Sequence, residues 1–259
     1  MKIDKPSIEE IIDLTALNGV DINISNTQSI FFPTSESNII TIGATAGQNN
    51  LGINVVGLGL ESLKNNSGNS VYALGVKSAQ GNFGDNVVAI GDLSVNQNLG
   101  DNLNSIGQWA GASNSGDDVN SIGNRSAYRN SGSDVNAFGQ FSANLNSGDN
   151  VNAIGQQAAY DNSGSNVNAL GDQTAYDNVG SNVNALGQQA AYGNTGSNVN
   201  AFGESAAQGN DGNDLNAIGY YAGNQNTGDN VDALGNLAAE RNKGNYVASI
   251  GTEAARQNT

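Results

Sequence analysis

The sequence predicts an all-β protein, a parallel β-solenoid (β-roll) of about 13 coils, and three observations carry that reading. Glycine recurs every 16 residues from Gly43 to Gly251. A second glycine follows nine residues behind each of these but the last, from Gly52 to Gly244. Asparagine fills a third register without exception, from Asn50 to Asn258. Gly- and Asn-rich composition alone is compatible with disorder, but disorder does not impose a period on the apolar positions.

Each part of the period has a reading. In the unit Asn166 to Ser181, Val167-Asn168-Ala169-Leu170 alternates as a short strand does. Its first register holds only Val or Leu, and the register before each coil glycine holds only Ile, Leu or Phe. Between them stands Ala or Ser, or Gly57 near the start, which fits a narrow interior. Gln173-Thr174-Ala175-Tyr176 reads as a second short strand. The following Asn-x-Gly segment reads as a turn, since Asn and Gly tolerate positive φ. Asparagines stacked coil on coil are expected to hydrogen-bond as a ladder. A two-helix repeat needs about 33 residues or more, so a 16-residue unit with two obligatory glycines excludes it. Both prolines, Pro6 and Pro33, precede the array, where no ladder N–H is required.

Composition narrows the function. Cys and His are absent, which removes disulfides, thiolate nucleophiles, imidazole bases and His/Cys zinc sites. No catalytic, cofactor-binding or metal-ligating residue is assigned, and a non-enzymatic role is expected. A net charge of −15 argues against nucleic acid as a partner. No apolar run approaches the roughly 20 residues of a membrane span, and the opening Met1-Lys2-Ile3-Asp4 does not read as a secretory signal, so synthesis in a host cytoplasm without membrane insertion is expected. Asp85, Asp101, Asp117, Asp149 and Asp229 follow the turn glycine. They lack the Gly-Gly-x-Gly-x-Asp pattern of calcium rolls and read as solvated turn residues.

The Ile/Leu/Phe register lies on the opposite side of its strand from Val and Ala. One apolar face therefore points inward, and the other forms a stripe: Ile90, Ile106, Ile122, Phe138, Ile154, Leu170, Leu186 and Phe202 in the central coils. Left bare on a monomer such a stripe would be a large exposed patch, so a parallel homotrimer about the long axis is expected.

The units Val87-Val88-Ala89-Ile90-Gly91 and Val71-Tyr72-Ala73-Leu74-Gly75 resemble the Val-Ala-Ile-Gly core of YadA-like adhesin heads, which are trimeric left-handed parallel β-rolls. Ala-[Ile/Leu]-Gly-x-x-[Ala/Ser] repeats rich in Asn and Gly are similarly frequent in bacteriophage head and tail fibre proteins. The resemblance covers residues 42–259, and it implies a trimeric virion fibre shaft that aids adhesion to a host-surface glycan or protein. A trimeric bacterial surface adhesin is the alternative. From Leu103 onward most units carry Asn directly before Ala or Ser, where the adhesin pattern has an apolar residue, which leaves that side of the strand open.

Residues 1–41 break the repeat. Ser7-Ile8-Glu9-Glu10 is a capping box, and Ile8, Ile11 and Ile12 mark one face of a short helix. Val20 to Ile24 alternates as a strand, and Phe31 and Phe32 close an apolar cluster before Pro33. This α/β segment is expected to cap the first coil or to attach the fibre to a capsid or tail protein through Ile8, Ile11, Ile12, Phe31 and Phe32. At the other end the sequence runs out in mid-coil, where docking by another fibre protein is expected. Tyr128, Tyr160, Tyr176 and Tyr192 share one register and read either as a structural aromatic ladder or as a glycan-binding stripe. Trp109, Phe141 and Tyr221 share another, two residues after the coil glycine, and are expected to be exposed contact residues.

Overall fold

The computed structural model describes residues 38–259, and within them the chain is a parallel β-solenoid with one sheet. Fourteen four-residue strands follow one another in chain order, from β1 (Ile39–Ile42) and β2 (Val55–Leu58) to β14 (Val247–Ile250). Each strand pairs in parallel with the next at an offset of one repeat, as in Val183 with Val199 and Leu186 with Phe202. At the usual interstrand spacing the stack is about 60 Å long. The capping box and the residues Ile8, Ile11, Ile12, Phe31 and Phe32 lie outside the described residues.

Along each strand burial alternates. Val167 and Ala169 are fully buried while Asn168 and Leu170 face out, and nearly every other strand repeats the pattern. The Asn register that departs from the adhesin pattern therefore points outward. There it forms its own ladder, in which Asn104 Nδ2 donates to Asn120 Oδ1 and the chain of bonds continues coil by coil to Asp232.

The second half of each coil is not a strand, contrary to the expectation for Gln173 to Tyr176. It is a run of tight turns. In the coil that starts at Gly59, Ser62 N–H donates to Gly59 C=O, Lys64 N–H to Glu61 C=O and Asn66 N–H to Leu63 C=O. The third residue of each turn, Glu61, Leu63 and Asn65, has φ near +56°, as a type II turn demands. The N–H groups of these positive-φ residues point along the axis: Glu61 and Asn65 donate back to Ala44 and Gln48, and Leu63 donates forward to Ser78. Both sets of backbone donors are thus satisfied without a second sheet. These segments resemble a strand in sequence because small residues sit at their centre, but the turns bury two consecutive side chains, such as Thr174 and Ala175, where a strand would alternate.

The two glycine registers answer different constraints. The coil glycines, such as Gly155 at φ +136°, sit where an L side chain is strained. The turn glycines do not have positive φ, and neither do the invariant asparagines, which corrects the reading of this turn. Gly148 is glycine because a Cβ there would lie 1.9 Å from the carbonyl oxygen of Gly164 in the next coil. The asparagine is invariant because it is buried and bonded twice. Asn162 Nδ2 donates to Asn146 Oδ1 in the previous coil at 2.7 Å and to Gly164 C=O at 2.7 Å. Its own Oδ1 then accepts from Asn178.

The rest of the interior is Val, Ala and Ser, packed so tightly that volume is conserved layer by layer. Where Leu215 replaces the usual Val, Gly223 replaces the usual Ala, and a Cβ on Gly223 would lie 3.0 Å from Leu215 Cδ2. Leu103 is matched by Gly111, and Leu63 by Gly57, in the same way. Interior serines bond across the coil, as Ser126 Oγ does to Ala137 C=O at 2.7 Å, and no buried side-chain polar atom among the described residues lacks a partner.

Two measurements test this packing. Leu215→Val and Gly223→Ala each cost about 1–3 kcal/mol alone, by cavity and overpacking respectively, whereas the double variant restores the common pair and recovers most of the loss in a denaturation cycle. Asn162→Ala strands the Gly164 carbonyl and breaks the ladder in both directions, lowering stability by about 2–4 kcal/mol in the same assay.

Candidate functional site

The coil cross-section presents three outer surfaces, and the repeat places one set of registers on each. The first is the outer sheet face, with the Asn ladder beside the Ile/Leu/Phe stripe. In the internal strands most stripe residues keep between 37% (Leu170, Phe202) and 51% (Leu186) of their surface exposed; Leu58 and Phe138 are more covered. The stripe is one side chain wide and runs beside the coil glycines. A shallow open dip on it is lined by Asn168, Leu170, Asn184, Ala185, Leu186 and Phe202.

The second surface is the turn edge that carries the aspartates. These are not merely solvated. Asp85 Oδ1 accepts the backbone N–H of Asn69 at 2.6 Å, Asp101 that of Asp85 at 2.7 Å and Asp117 that of Asp101 at 2.8 Å. Where the register holds serine, as at Ser165 and Ser181, the hydroxyl accepts the same bond. Each side chain caps a donor left over at the corner. The sequence signal was available in the near-exclusive use of Asp, Ser and Asn in this register. Among the described residues no group of three or more His, Cys, Asp or Glu is placed to hold a metal ion.

The third surface is the turn face. Tyr160, Tyr176 and Tyr192 form the expected aromatic ladder, their rings stacked at 4.9 Å and within 5° of parallel. Gln157, Gln173 and Gln189 run beside them as an amide ladder. Tyr128 stands apart from this stack, separated from Tyr160 by Asn144 in the intervening coil, and instead meets Trp109 edge-on at 6.0 Å. Stacking covers both faces of the middle ring, so the three-tyrosine ladder offers no open series of ring faces to a sugar. Trp109, Phe141 and Tyr221 are half-buried rather than exposed, because each leans on side chains of the adjacent registers and coils.

The same cluster holds two guanidinium groups that the sequence reading passed over. Arg125 lies over the Phe141 ring at 5.6 Å, and Arg129 over the Tyr128 ring at 5.1 Å. Such pairings are favourable by about 0.5–1 kcal/mol at exposed sites.

Comparison of the chain with models of known protein families and with curated proteins finds no match. The surfaces themselves therefore carry the functional argument.

Burial within the stack, reinforced by Asp177, the flanking tyrosines and Asp161, raises the Tyr176 phenol above its ordinary value of 10.0. The folded state favours the neutral phenol, so stability falls as the pH rises through the unfolded value near 10. Absorbance titration of the wild type is expected to show a component above that value. Tyr176→Phe reduces that component to the part that comes from Tyr220, whose phenol is raised as well, and Asp177→Asn moves the Tyr176 part down.

Proposed function

We propose that this chain is a non-enzymatic virion fibre protein, of head or tail, whose solenoid is the shaft of a parallel homotrimer projecting from the particle. The observation that carries the reading is the apolar stripe from Ile42 to Ile250, exposed in every coil but those of Leu58 and Phe138. It amounts to roughly 1,000 Å² of apolar surface per chain, more than a typical monomer leaves bare and enough for a stable interface. Its width favours three copies over two. A face-to-face pair of sheets needs a broad apolar face, and here an exposed Asn ladder occupies half of it. A threefold axis needs only one apolar side chain per chain in each layer.

In this arrangement the sheet face turns toward the axis and the turn faces point outward, so that any site on them is presented three times over and gains avidity for a repetitive host surface. Residues 1–37 are assigned to attachment at a capsid or tail protein, since Ile39–Ile42, expected to begin the shaft only at its last residue, is already its first strand.

Light scattering tests the assembly. A mass near three times 26.4 kDa is expected, with rods about 60 Å long in negative-stain images. Ile122→Asn with Ile154→Asn, which extends the neighbouring polar ladder into the stripe, shifts the mass toward one chain while the circular dichroism spectrum stays unchanged. A wild-type chain that is monomeric at high concentration overturns the shaft reading.

A further inference from the structure

We infer that the turn-face cluster of Trp109, Arg125, Tyr128, Arg129 and Phe141 is a binding site for an acidic saccharide, one bearing a carboxylate on its ring. This rests on the adhesive part of the fibre reading and names the chemistry of the partner.

Three features single the cluster out. First, the ladders are interrupted here. In the coils starting at Gly155, Gly171 and Gly187 the same registers hold self-complementary Gln and Tyr, which bond and stack among themselves. In the coils starting at Gly107, Gly123 and Gly139 one of these registers instead reads Trp109, Arg125, Phe141. The register is mixed in other coils too, with Lys77, Leu93, Ser205 and Leu237, but only here does it set a guanidinium between two aromatic side chains.

Second, the charge is inverted locally. The chain carries −15 overall, yet no turn-face position in these three coils is Asp or Glu, and neither Arg125 nor Arg129 makes a salt bridge among the described residues. Two guanidinium groups four residues apart in one coil, neither with a side-chain hydrogen bond among the described residues, supply the donors a carboxylate takes, and ring contacts restrict how they point.

Third, the shape suits a sugar. Trp109 and Tyr128 meet at 87° and do not stack face to face, and it is a guanidinium, Arg129, that lies over the Tyr128 ring. Gln108, Asn124 and Gln140 run alongside as a row of amides able to bond hydroxyls. Three coils span about 10 Å between the outer two, room for one or two pyranose rings. A long polyanion running along the rod would meet Asp92 on one side and Asp161 on the other. The site therefore favours a short acidic glycan over nucleic acid.

Calorimetric and saturation-transfer NMR titrations of the full chain with methyl glucuronide, methyl glucoside and acetate test the assignment. The glucuronide is expected to bind at least tenfold more tightly than either the neutral sugar or acetate. Arg125→Gln with Arg129→Gln abolishes that preference. Glutamine already occupies these registers at Gln157 and Gln225, so the fold is retained, as circular dichroism checks. Absence of glucuronide binding overturns the site, as does acetate binding equally well or a double variant that binds like the wild type. A monomeric chain that still binds removes the shaft and leaves the site. A trimer that does not bind does the reverse.

Discussion

At two points of every cross-section, adjacent coils of this solenoid approach so closely that no Cβ fits between them. The carbonyl of one coil's glycine occupies the space where a side chain on the preceding glycine would begin, at both the coil-glycine and the turn-glycine columns. Close approach there brings the coils to ladder distance everywhere else on the perimeter. The parallel strands, the buried Asn ladder and the capping bonds of the Asp/Ser/Asn edge all depend on that spacing. Both columns carry a backbone close contact, but only the coil glycine also needs positive φ.

Because each coil touches only its neighbours, stability accumulates by interfaces, and a local departure must be compensated locally. The layer at Leu215 shows how. An extra methylene on one wall is offset by a missing methyl on the other, at Gly223, while the coils above and below keep Val and Ala. The outer registers have more freedom. They are filled by residues that pair with their own kind at one-coil spacing: amides with amides, tyrosine rings with tyrosine rings. The register of Trp109, Arg125 and Phe141 is not self-complementary, and it is equally mixed at Lys77, Leu93, Ser205 and Leu237, so the repeat leaves its choice of residue free.

The geometry also divides labour between faces. The apolar stripe and the aromatic–arginine cluster lie on different sides of the same coils, one on the outer sheet face and one on the turn face. The two roles proposed for the chain thus fall on different registers of the same coils.

The period of 16, the Val-x-Ala strand with its buried and exposed sides, and the stripe were all legible in the sequence, because each leaves a strict residue restriction in one register. The tyrosine ladder was legible for the same reason, since identical residues one coil apart must stack. The run of turns was not, because small residues at the centre of a segment suit the inside of a strand and of a turn run alike, and only the backbone hydrogen bonding and the burial of two consecutive residues tell them apart. The role of the turn glycine was hidden likewise: intolerance of a Cβ looks the same in sequence whether it comes from φ or from a neighbour's carbonyl. The meeting of Trp109 with Tyr128, and of two arginines with two rings, joins different registers and different coils. Periodicity sets what stands above what, but which side chains reach across a face depends on the shape of the cross-section, and only the folded coil determines that shape.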